Sequence, residues 1–149
     1  MAANINPIFG RSSHTSVSGA VIGSSANTAT DGTGANMYQI FAADATEGSF
    51  VYYVLLKPIS SIAATVARVF LCTDTGTFTA GTTNTAANTA LLGEITMAAW
   101  TASNIIAAPP FTLTLNFPLQ PGHKLLMSFG TSTGAGTTGF NPVVVAMKY

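Results

Sequence analysis

The side chains best suited to chemistry in this 149-residue chain are few: two histidines, one cysteine and five acidic residues. His14 and His123 lie far apart, and neither has a second His, Cys or carboxylate at ligand spacing. Asp31 and Asp74 stand in turn-like stretches that lack the alternating oxygen ligands of a calcium loop. No metal and no cofactor is therefore expected. Cys72 is alone, so an intrachain disulfide is excluded. It follows Leu71 in an apolar run with no cationic neighbour to activate it, which predicts a buried, inert thiol. Serines are plentiful, but no Gly-x-Ser-x-Gly elbow occurs. Asp31, Asp44, Glu47, Asp74 and Glu94 are the only acids, and their spacing does not support a paired-carboxylate site. The glycine-rich stretches have no following Lys-Ser/Thr, so they do not read as phosphate cradles. His123 follows Pro121-Gly122 and reads as an exposed turn residue. No catalytic residue is assigned, and no enzyme is expected.

Whatever the chain does must then come from its surface, and the surface is unusual. Five Lys+Arg balance five Asp+Glu, so 7% of the residues are charged, against roughly a quarter in ordinary soluble domains. So few cations give no electrostatic footprint for nucleic acid or an anionic membrane, so neither is expected as a partner. Hydrophobic residues make up 48%, too many for a charged disordered tail. No apolar run approaches the roughly 18 residues of a membrane span. The N-terminal residues lack the basic start and apolar stretch of a secretory signal, and synthesis inside a cell is expected.

The elements that position this surface read as strands. Gly, Thr, Asn and Pro interrupt the chain too often for long helices, and short β-prone runs recur between turn signals. Strands are predicted over 37–42, 50–57, 64–72, 91–97, 111–117, 124–129 and 143–149, with a weak one over 16–22. A single helical turn over 86–92 is the alternative reading there. Pro121-Gly122 suits a type II turn, and residues 111–117 and 124–129 read as a hairpin around it. Residues 73–89 read as a long Thr/Gly loop available for binding, and residues 130–139 as a second loop. The pattern predicts an all-β antiparallel sandwich, jelly-roll-like, of about eight strands. Residues 1–25 are expected as an extended arm and residues 26–149 as the sandwich.

Two strands are apolar on both sides. In one, Phe50, Tyr52, Val54 and Leu56 alternate with Val51, Tyr53 and Leu55; in the other, Ala67, Val69 and Leu71 alternate with Val66, Arg68 and Phe70. A sandwich strand needs only one apolar face. The second face is covered either by a loop or the arm of the same chain, or by another subunit. For Arg68 three readings stay open: pairing with Glu94 across strands, an intersubunit contact, or snorkelling to water. Tyr52, Tyr53, Val66, Arg68 and Phe70, with Ile8 and Phe9 of the arm, are the candidate interface residues.

Several stretches carry a family resemblance. Ala26-Asn27-Thr28-Ala29-Thr30-Asp31-Gly32-Thr33-Gly34 is followed by Leu56-Lys57-Pro58 and Ala64-Thr65-Val66-Ala67-Arg68-Val69-Phe70. Then come Asn88-Thr89-Ala90-Leu91-Leu92-Gly93-Glu94-Ile95-Thr96 and Leu119-Gln120-Pro121-Gly122-His123-Lys124-Leu125. In their order these resemble a group of small virion-associated proteins of tailed bacteriophages, over residues 26–149. The resemblance implies a β-sandwich that assembles on the particle as a head decoration (cement) protein. It implies the major capsid protein or other virion proteins as partners, a homo-oligomer with a trimer favoured, and location in the virion. A tail or fibre-tip module that binds a receptor or carbohydrate is the alternative, with Trp100 as its only tryptophan.

Overall fold

The computed structural model describes residues 11–17, 22–134 and 138–149. Nine strands are described: β1 (Ser12–Ser13), β2 (Ser16–Val17), β3 (Tyr38–Ala42), β4 (Ser49–Leu56), β5 (Thr65–Cys72), β6 (Thr89–Met97), β7 (Phe111–Leu119), β8 (Lys124–Phe129) and β9 (Val143–Lys148). They form two antiparallel sheets. The first has the order β1-β9-β4-β7, with β2 also on β9, and the second has the order β3-β8-β5-β6. Strands thus pair from the ends of the chain inward: β2 with β9, β3 with β8, β4 with β7 and β5 with β6. This is one long hairpin rolled into two layers, the jelly-roll arrangement. Among the described residues no helix is long and apolar enough to cross a membrane.

Alternation explains which faces meet. Val51, Val54 and Leu56 of β4, Ala67 and Val69 of β5, and Leu125, Met127 and Phe129 of β8 point between the sheets and are fully buried. Phe129 stacks on Phe140 with ring centroids 5.6 Å apart, closing one end of the core. Cys72 is buried, as expected.

The turn at Pro121-Gly122 forms as predicted, with the His123 N–H donating to Gln120 O at 3.1 Å and Gly122 at φ +75°. The hairpin expected around it does not. β7 pairs with β4 in the first sheet, while β8 lies between β3 and β5 in the second. The turn is therefore an arch between layers, a distinction that alternation and turn chemistry do not encode. Likewise, residues 86–88 form a turn before β6 rather than part of a helix.

The segment expected as an arm is partly built into the fold. From Arg11 to Val17 it runs along β9, and Ile22 is buried in the core beside Phe140. Ile8 and Phe9 lie outside the described residues.

The largest departure concerns the long Thr-rich stretch. Residues 73–88 do not stand free but fold down over the outer face of the second sheet. Phe78 and Ala80 pack there on Met37, Phe70, Cys72 and Leu126, forming a small second core outside the sandwich. Asn84 ties this layer to residues 32–34. Its Nδ2 donates to Gly32 O at 2.8 Å and Gly34 O at 3.0 Å, while its Oδ1 accepts from the Gly81 N–H at 2.7 Å. Gly32 must be glycine: its φ is +83°, and a Cβ there would lie 2.3 Å from Thr89 Cγ2. Asn27 and Asn88 bond backbone groups of the same two loops. Asn84 is nearly inaccessible, so removing its amide strands buried donors and acceptors. Asn84→Ala is expected to lower the unfolding free energy by about 2–3 kcal/mol in urea denaturation. A change within about 0.5 kcal/mol would mean that the layer is not held this way.

Candidate interaction surfaces

The candidate interface residues do not form one surface. Val66, Arg68 and Phe70 project from β5 on the outer side of the second sheet, whereas Tyr52 and Tyr53 project from β4 on the outer side of the first. Phe70 is corrected outright: it is fully buried beneath the 73–88 layer, so it is unavailable to another subunit. On that strand, the chain covers its own second face.

Arg68 resolves to one of its three readings. Its Nε donates to Glu94 Oε1 at 2.8 Å, directly across the β5–β6 pairing, and its Nη1 donates to Asn27 O at 3.2 Å. The side chain keeps 15% of its accessibility and lies over Gly130, where a Cβ would come 3.4 Å from Nη1. With two donors committed, Arg68 pins the Asn27 loop to the sheet. Val66 lies beside it in a shallow depression of about 440 Å³, whose walls include Met97, Thr96 and Thr131.

The first sheet is different. The β4 register slips between Val51 and Tyr53 against both neighbours. Such a bulge sets two successive residues on one side of a sheet. The expected alternation is thereby broken: Val51 and Val54 both point inward, and Tyr52 and Tyr53 both point outward with Phe50 and Leu55. Their neighbours on β9 are Val143, Val145 and Met147. The Tyr52 hydroxyl donates to Met147 Sδ at 2.8 Å, and the Phe50 and Tyr52 rings meet edge to face at 5.2 Å. None of these side chains belongs to the core packing, and no described strand lies over them. Tyr52 retains 37% exposure, and Val17 beside β9 retains 63%.

A second apolar feature is one that sequence reading passed over. Residues 57–64, 98–110, 130–134 and 138–142 meet at one end of the sandwich. Ile105 and Ile106 protrude there with 93% and 62% exposure, and Ile59 is half exposed nearby. The Ser103 hydroxyl accepts from both isoleucine N–H groups, at 3.1 and 3.2 Å, and fixes the tip. The signal available was the Ile-Ile pair between a serine turn and Pro109-Pro110, outside any strand pattern.

Two further polar side chains are tied into the fold. His14 Nδ1 is 2.8 Å from Ser49 Oγ, and its ring packs edgewise on Phe41 at 4.9 Å. Lys124 is buried and donates to the carbonyls of Asp74 and Gly122. Among the described residues no three His, Cys, Asp or Glu side chains converge as metal ligands would. Charge gathers at the end of the first sheet opposite the isoleucine tip, where Arg11 pairs with Glu47 and Lys148 Nζ lies 3.6 Å from Asp44 Oδ2.

Two carboxyls there and nearby are held below their ordinary range. For Asp44 the main causes are the N–H groups of Glu47 and Thr46, both 2.9 Å from Oδ1, with Lys148 adding to them. For Asp31 they are the hydroxyl and N–H of Thr33. A carboxyl whose pKa is depressed on folding stabilises the fold above the ordinary value of 3.8. That contribution fades as pH falls through the depressed value. The melting temperature should therefore drop on acidification below this range, and Asp44→Asn should flatten the drop. An unchanged acid limb in the variant would remove Asp44 from the account.

No protein-family model matches the chain, and no curated protein matches it.

Proposed function

We propose that this protein is a structural subunit of a tailed-phage particle, a head decoration protein that binds the major capsid protein and acts by burial, not by catalysis. The observation that carries this reading is the apolar surface left uncovered on a domain that otherwise covers itself. An uncharged aromatic sheet face and a protruding Ile105–Ile106 tip are what a protein designed for neighbours presents. The sequence resemblance over residues 26–149 supplies the kind of neighbour. Low charge supports close packing of many copies, because repulsion between them stays small. In this reading the isoleucine tip contacts the shell.

The fibre-tip alternative draws no support from the first of its two loops. It would use residues 73–89 and 130–139 as its ligand surface; the first packs Phe78 and Ala80 onto the protein's own sheet, and residues 135–137 of the second lie outside the described residues.

The test is the copy number of this chain in purified particles, with hundreds expected for shell decoration. A dozen or fewer would refute decoration in favour of a tail or fibre position. Ile105→Asp combined with Ile106→Asp should leave the fold intact and abolish particle occupancy. Full occupancy by that variant would remove the tip from the contact.

A further inference from the structure

We infer that the outer face of the first sheet packs against the same face of a second copy of this chain. This deepens the assembly reading and rests on it only in needing an uncovered face. The centre of the face is Phe50, Tyr52, Tyr53, Leu55, Val145 and Met147 on β4 and β9. Exposed Thr112, Thr114 and Asn116 of β7 flank it on one side, and Ser12 and Ser13 of β1 on the other. A centre of aromatic and aliphatic side chains inside a polar rim is the anatomy of a protein interface.

Three observations select a copy of the chain as the occupant. The first is charge. The centre carries no ionisable group except tyrosine, and Lys148 at its end is already beside Asp44. Such a face meets its own copy without repulsion and offers a charged partner nothing to pair with.

The second is area. β7, β4 and β9 have 9, 8 and 6 residues and β1 and β2 two each, which at about 4.8 Å between strands and 3.3 Å per residue span about 430 Å² of flat sheet per copy. A pair then buries about 860 Å² before side-chain relief is added, close to the roughly 1,000 Å² that a specific interface should clear.

The third is that the edges of both sheets are blunted. β7 contains Pro118, which lacks an N–H, and Asn116 at φ +46°. β1 and β2 have two residues each. β3 is short and slips register between Gln39 and Phe41. β6 slips against β5 between Val69 and Phe70. Strand addition at an edge is thus discouraged, and the face is the surface left for self-association. Two like faces close on each other with twofold symmetry. The resulting unit is a dimer, in place of the trimer expected from sequence.

Light scattering on the full chain across the micromolar range tests this. The expected mass is twice the 15.2 kDa chain. Tyr53→Lys, at the centre of the face, should weaken association by roughly thirtyfold or more with an unchanged circular dichroism spectrum. If that variant misfolds, Tyr52→Glu at its more exposed neighbour gives the same reading. A monomer at every concentration, a trimer, or a dimer that either folded variant leaves intact would overturn the inference. A monomer that still occupies particles in normal number would overturn the dimer and leave the decoration reading standing.

Discussion

Two stacked sheets have four faces, and only two of them can meet in a shared core. This chain places large apolar side chains on all four. Each outer face must therefore be covered or remain an apolar surface in water, which a soluble monomer rarely tolerates over a large area. The two outer faces meet this constraint differently. Over the second sheet the chain supplies a third layer from residues 73–88 and the Asn27 loop. Over the first sheet the nine strands supply nothing.

The composition follows from that division. A layer of loop backbone laid on a sheet carries many N–H and C=O groups that must be satisfied without strands. Asparagine does this well, because its amide both donates and accepts. Asn84, Asn27 and Asn88 each bridge backbone groups in this way. Charged side chains would be poorly placed in such a layer. The two that enter from the sheet are each held, Arg68 by Glu94 and the Asn27 carbonyl and Lys124 by the carbonyls of Asp74 and Gly122. Low charge therefore has two origins: a loop layer that uses amides as its polar groups, and an outer face of the first sheet built from aromatic and aliphatic side chains.

Much of the architecture was legible from residues alone. The seven main strands, the type II turn, the buried thiol and the Arg68–Glu94 option all come from local pattern. What local pattern missed is non-local. The arch at Pro121-Gly122 looks like a hairpin because a turn does not reveal which sheet receives the next strand. The bulge at Tyr52 reverses facing within a single strand, and no residue type there announces it. Residues 73–89 look like a free loop because the amides that hold them down have partners some 50 residues away in sequence. Phe70 therefore reads as an interface residue, although the chain itself closes that face. The Ile105–Ile106 tip lies in a connection, where neither strand alternation nor helical periodicity marks an apolar pair as exposed.

The central claim is that one outer face is closed by the chain and the other by a copy. Hydroxyl-radical footprinting of side chains over a dilution series measures both faces together. The account predicts that Met37 and Phe70 stay protected at every concentration, while Tyr52, Tyr53 and Met147 are labelled in dilute protein and protected in concentrated protein. Labelling of Met37 and Phe70 in folded protein, or labelling of the Tyr52–Met147 face that ignores concentration, would contradict it.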